Sequence, residues 1–277
     1  MSSHVTFAAR PGPTMTPEDL AALRTAVRLL EHPGLAARLT DLVGKPVELI
    51  GRALPAAASR AIATATAKGL EAALKVALRT MQRTPHAGSK LLHKALVTAS
   101  GAAGGAFGLA TLPIELPVST IIMLRSIADI ARSEGEDISE PEPALACVQV
   151  FALGGRVGSA NVSESGYFAT RGMLAKSVTE AARFIAERGV IEEGAPVLVR
   201  FIAQVASRFG VVVTQKVAAQ TVPIVGALGG AVVNYAFIEH FQEVARGHFT
   251  VRRLERVYGK DVVRTEYDRL RSTAEGQ

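Results

Sequence analysis

The chain has 277 residues, of which 48% are hydrophobic and 20% charged, with a mean hydropathy of +0.24. It is long enough to bury a sizeable core and too charged to consist of membrane spans alone. A net charge of +6 suits anionic partners, but the densest basic stretch, Ala245–Arg264, carries no nucleic-acid-binding motif, so nucleic acid is an unlikely partner.

Met1 to Thr16 is rich in Pro, Gly and Thr and is expected to be disordered. It has no basic n-region followed by an apolar run, which predicts no secretory signal and a cytoplasmic location. Thr16 then reads as an N-cap, with Pro17 at the first helical position and Glu18 and Asp19 in the first turn of "PEDLAALRTAVRLLEH". A short helix "GLAARLTDLV" and a connector "GKPVELIGRALP" follow. Ala56–Thr84 reads as one long Ala-rich helix, with Ile62, Gly69, Ala73, Ala77 and Met81 at helical spacing and Pro85 as its stop.

Ser89 opens the next helix, which runs into "GAAGGAFG". After Pro117 a helix "VSTIIMLRSIADIARSE" is expected, with Gly135 as its C-cap. Ser139 and Glu142 have capping-box spacing and would open "PALACVQVFALGG". In that apolar run the single cysteine, Cys147, reads as a buried thiol and excludes an intramolecular disulfide. "SGYFATRGMLAKSVTEAARFIAERG", "APVLVRFIAQVASRFG" and the stretch from Val211 to Phe249 read as helical, and charged helices run to about Arg271. The strand-like pieces Ala195–Val199 and Val211–Thr214 sit inside helical patterns and read as helix. The fold class is therefore all-α. One compact domain of eight to ten helices spans 56–272, 17–55 forms an N-terminal helical extension, and two Gly-rich apolar segments lie at the centre.

Ala95–Ile114 and Val217–Ile238 are free of charge, and each has about the length that crosses a bilayer. Gly101 and Gly105, Gly104 and Gly108, and Gly226 and Gly230 are each four residues apart, so each pair shares one helical face. Glycine there lets two helix backbones approach closely, in lipid or in water. The spacing leaves both readings open, a core hairpin or entry into the membrane. "GAAGGAFG" has neither the Rossmann nor the P-loop spacing, and no cofactor is implied.

"GAAGGAFGL", "LPIELPVST", "MLRSIADIARSEGED" and "VPIVGALGGAVVNYAFIEHFQEVARGHFTVRRLERVYG" together resemble the EcsC family of bacterial proteins, over roughly residues 60 to 270. The matching positions include Gly101, Gly105, Gly108, Pro113, Pro117, Arg125, Asp129, Gly135, Pro223, Gly226, Asn234, His248, Arg252, Arg253 and Gly259. The first ~55 residues stand outside the resemblance. The family is named for an accessory gene beside an ABC transporter, so the resemblance implies a context at the membrane and no catalytic residues.

Arg125, Asp129 and Arg132 form one polar stripe at i, i+4 and i+7. Such a stripe reads first as a solvated or structural salt-bridge face; the functional alternative has it meet the basic C-terminal helix, with Glu115 or Asp129 pairing to Arg252 or Arg253. His240 and Glu243 are i, i+3, but no second copy or H-E-x-x-H accompanies them, and no metal site is implied. An enzyme reading would need Glu115, Asp129, His240 and His248 to converge in one pocket. A carrier reading would need an apolar tunnel. The favoured expectation is a non-enzymatic accessory protein at the cytoplasmic face of the membrane, peripheral or partly embedded, touching anionic lipid or a membrane protein. The oligomeric state is left open.

Overall fold

The computed structural model describes residues 14–31, 34–80, 112–155, 166–188, 195–222 and 226–275. Among these residues there are ten helices and no strand: α1 (Pro17–Glu31), α2 (Leu35–Val43), α3 (Val47–Arg52), α4 (Ala56–Thr80), α5 (Leu112–Ser133), α6 (Pro141–Leu153), α7 (Gly166–Arg188), α8 (Pro196–Gln220), α9 (Gly226–Tyr258) and α10 (Lys260–Glu275). Gly101, Gly104, Gly105, Gly108, Met81 and Ser89 lie outside the described residues.

The helix ends follow local chemistry. Thr16 Oγ1 accepts the backbone N–H of Asp19, the N-cap bond its sequence position predicts. Gly135 takes φ +79° past the end of α5, and the next N–H, that of Glu136, returns to the carbonyl of Ala131. Gly259, at φ +86°, separates α9 from α10. The Ser139–Glu142 capping box is not made. Ser139 instead donates from its N–H and hydroxyl to Asp137, and Glu140 is the N-cap, with Pro141 at the first helical position. α5 also begins earlier than expected, since it runs through Pro117 rather than starting after it. The proline removes one backbone donor, and the Ser119 and Thr120 hydroxyls both bond the Leu116 carbonyl beside it. α4 crosses α5 at this point. A Cβ on Gly69 would stand 3.0 Å from Thr120 Oγ1 and 3.6 Å from Pro117 Cα.

α6 is apolar on all sides, and Ala144 to Leu153 are buried, as a helix enclosed by others must be. It packs against α4, α5, α7, α8 and α9. Its Phe151 meets Phe209 of α8 at 4.9 Å and Phe241 of α9 at 5.4 Å, forming an aromatic centre that Phe237 completes. α9 is 33 residues long, roughly 50 Å at helical rise. It runs parallel to α5 at a constant offset: Gln242 bonds Ser126, Thr250 bonds Glu134 and Arg252 bonds Glu136, each pair 116 residues apart.

α1 does not stand apart as an extension. Leu23, Ala26, Val27 and Leu30 are buried in the common core, and α1 packs on α9 and α10. The close approach depends on Gly247, where a Cβ would sit 2.6 Å from Leu30 Cγ and 3.2 Å from the Ala26 carbonyl. Gly247→Ala is therefore expected to destabilise the protein by about 1–3 kcal/mol. The readout is a lower urea midpoint. Gly172→Ala, where a Cβ meets open space, should leave the midpoint unchanged or raise it slightly.

Candidate functional site

The C-terminal half of α9 carries a row of charged side chains, and each reaches a different neighbour. Arg252 is held by two carboxylates. Its Nε and Nη2 donate to Glu136 at 2.8 and 3.0 Å, and its Nη1 and Nη2 donate to Glu142 at 2.8 and 2.7 Å. Arg253 bridges Glu134 and Asp19, each at 2.9 Å, tying α1 to the end of α5. Tyr258 donates to the second oxygen of Asp19 at 2.7 Å. Arg256 reaches Glu136 and donates to the Glu134 carbonyl. On the α7 side, Arg171 forms a two-pronged pair with Glu255 at 2.7 and 2.8 Å.

The Arg125–Asp129–Arg132 stripe is a half-exposed salt-bridge face on its own helix, as first read, and the alternative cluster with the C-terminal arginines is not formed. Arg252 and Arg253 take Glu136, Glu142, Glu134 and Asp19, and neither Glu115 nor Asp129 is among their partners. Asp129 pairs with Arg132 of its own helix at 2.9 Å, and Arg125 is exposed. The reason lies in level. Residues 115 and 129 stand on α5 below the stretch that the parallel offset sets beside 252, which instead faces Glu136 just past the helix end.

His248 is fully buried under this row. Arg171 donates to the Tyr167 oxygen at 3.4 Å, and Tyr167 lies 2.9 Å from His248 Nδ1. A guanidinium only donates, so the phenol oxygen accepts from Arg171 and shares a second hydrogen bond with Nδ1. Nε2 has no partner among the described residues. Desolvation, with Arg171 and Arg252 nearby, holds the imidazole well below its ordinary range. Burial pushes the Tyr167 phenol up to about 12 and the Cys147 thiol up to about 12. For Glu136, burial works upward, but hydrogen bonds and charge from Arg252 and Arg256 win and hold the carboxyl below its usual value. None of these shifts moves a group toward neutral pH, where acid–base catalysis would need it.

The remaining candidates are dispersed. His240 Nε2 lies 2.9 Å from the Gly154 carbonyl, and Glu243 pairs with Arg38 at 2.6 Å, so the two do not face one common point. Glu115 pairs with Lys216 of α8 at 2.9 Å, with side chains 8% and 1% exposed. Glu115 and Asp129 are fourteen residues apart on α5, roughly 21 Å. Lys216 also stands 4.9 Å from the centre of the Phe237 ring. Sequence reasoning missed this pair. Its signal was one lysine bordering an uncharged stretch and one glutamate ending another.

Around this buried pair several large apolar side chains are exposed, with the charged Glu48 and Arg52 among their neighbours. Ile114 and Val118 flank Glu115 at the start of α5, and Val232 and Tyr235 precede Phe237, which faces Lys216. α3 joins them, since Gly51 packs on Thr214 and Ala218 in the last turns of α8. Ile114 (75% exposed), Tyr235 (65%), Leu49 (62%), Val232 (47%) and Val118 (43%) are five of the nine exposed large apolar side chains among the described residues. They gather at the end where α5 and α9 begin and α8 stops. Val217–Ile238 is not one span: it ends α8, turns at Thr221 and Val222, and enters α9 at Gly226, with Gly230 buried four residues on. The described helix long and apolar enough to cross a membrane is α8 itself. Its Phe201, Val205, Phe209 and Val213 are buried in the bundle.

A model of the EcsC protein family matches residues 18–254. The chain belongs to this family. The match begins at α1, so the EcsC region takes in the N-terminal helices that the motif resemblance had left outside. No curated protein and no solved structure matches the chain.

Two predictions follow from the buried groups. Lys216→Met should cost about 3–5 kcal/mol because it strands the Glu115 carboxylate. Adding Glu115→Gln should restore a large part of that loss, and a urea double-mutant cycle reads the coupling. For His248, the folded value lies below the ordinary 6.5, so the unfolded chain takes up a proton that the folded chain refuses. Stability is full above that pH and falls below it, by up to about 1.4 kcal/mol per pH unit. Glu136 and Asp19 are also lowered, but the stability they contribute is complete above their ordinary values of 4.5 and 3.8 and is lost only below them. His248→Asn should therefore flatten the fall between pH 6.5 and 5, measured by urea unfolding across that range.

Proposed function

We propose that this EcsC protein is a non-enzymatic accessory protein that works at the cytoplasmic face of a membrane, with its apolar end set against lipid. The observation that carries the reading is the gathering of Leu49, Ile114, Val118, Val232 and Tyr235 at one end of the bundle. Scattered apolar side chains are ordinary on a protein surface, but a shared end invites a partner. Tyr235 adds an amphipathic ring, suited to the boundary between acyl chains and headgroups. The net charge of +6 favours an anionic leaflet. Among the described residues the opposite end is held by ion pairs and exposes one large apolar side chain of α9, Val257.

The non-enzymatic part rests on the dispersal of Glu115, Asp129, His240 and His248, each engaged with a different neighbour. It also rests on buried groups whose proton affinities are tuned away from neutrality.

Vesicle flotation tests the reading. The native chain is expected to float with vesicles without detergent. Ile114→Asp and Tyr235→Asp should each weaken binding roughly tenfold or more, the weight of one buried apolar side chain, with the fold unchanged by circular dichroism. A native chain that never floats, or two variants that float as well as the native chain, would reject it.

A further inference from the structure

The seam between α7 and α8 is lined by polar pairs. Arg200 meets Glu180 at 3.7 Å, Ser177 donates to Gln204 Oε1 at 2.6 Å, and Arg208 donates to Thr170 Oγ1 at 3.0 Å. Arg208 stands out among the half-buried arginines. Arg38, Arg171, Arg252 and Arg253 each hold a carboxylate. Arg208 holds a buried hydroxyl and, at 3.7 Å, the Met173 sulfur, and no carboxylate among the described residues. The seam's own carboxylate, Glu180, is shared between Arg200 and Lys176.

A guanidinium has five N–H donors in a planar fork suited to oxyanions. Here it is partly stripped of water, which opposes its charge, and it gains no countercharge in return. Its place is fixed: Gly155, just past the end of α6, lies directly against the Arg208 carbonyl, leaving no room for a Cβ. Gln204 lies one turn earlier on the same face. Its Oε1 is occupied by Ser177, which leaves the amide N–H donors for another acceptor.

We propose that Arg208, with the Gln204 amide, binds a phosphate-type oxyanion at the α7–α8 seam. A lipid phosphodiester and free phosphate present the same chemistry. The lipid source rests on the membrane reading above.

The test uses the full chain, vesicles of phosphatidylcholine with and without phosphatidylglycerol, and inorganic phosphate in thermal unfolding. Arg208→Gln should bind phosphatidylglycerol vesicles about fivefold more weakly, the weight of one basic side chain at an anionic surface. Its binding to phosphatidylcholine alone should match the native chain. Arg208→Lys, which keeps the charge and the fold but not the fork, should fall between. Lys176→Gln, an exposed charge nearby, should bind like the native chain. If Arg208→Gln matches the native chain on both vesicles and phosphate stabilises neither, the oxyanion site is refuted while the membrane reading stands. If the native chain binds no vesicle, the membrane reading fails. The site then survives only if inorganic phosphate raises the melting temperature of the native chain and not of Arg208→Gln.

Discussion

The clamp on Arg252 sets the rest of the structure. One guanidinium, 13% exposed, is gripped by the carboxylates of Glu136 and Glu142, which belong to two different neighbours of α9. A buried ion pair is a weak source of net stability, since desolvation offsets much of the attraction. What it supplies is position. α9 is a long helix that packs on α1, α2, α5, α6, α8 and α10 and meets α7 through side chains, and an Ala- and Val-rich surface alone allows such a helix to slide. A planar fork meeting two carboxylates at 2.7–3.0 Å does not. Arg253 and Arg171 repeat the device toward α1 and α7.

The molecule is consequently polar in two senses. One end of α9 is charged, paired and closed. The other begins beside Lys216 and Glu115, a single buried pair with the exposed Leu49, Ile114, Val118, Val232 and Tyr235 around it. The pair explains how a charge tolerates that place. Lys216 has its carboxylate at 2.9 Å and the face of Phe237 at 4.9 Å, so its ammonium is engaged on two sides. The His248 region serves the closed end in another way. Its tyrosine, histidine and stacked Tyr267 fill space between α7, α9 and α10 while meeting most of their polar demands within the network.

Local signals in the sequence were readable because they act through the backbone near them. Thr16 caps α1 and Gly135 caps α5 as their chemistry demands, and the absence of strand pattern gave the fold class. Partner choice was not readable in the same way. A basic stretch marks Arg252 and Arg253 as charged, but it does not say which carboxylates they meet. Glu136 was the hardest to find. It follows Gly135, outside any helix, so no periodicity assigned it a face, yet it is 3% exposed and central to the clamp. Pro117 misled for the opposite reason: a local rule ends helices at proline, yet α5 runs through it and packs closely on α4 there. Lys216 and Glu115 lie 101 residues apart, and each looked like the edge of an apolar segment rather than half of one contact.

The two ends are also linked mechanically. α5 and α9 lie parallel, and their bonds keep one offset from Ser126–Gln242 to Glu136–Arg252. A slip of one turn would move one helix by about 5.4 Å. That would break both prongs of the Arg252 clamp at once and carry Phe237 away from the ammonium of Lys216. A partial slip leaves buried charges unpaired. Ile114 and Val118 ride on α5 while Val232 and Tyr235 ride on α9, so the register that the ion pairs fix also sets how these four side chains are spaced along the two helices.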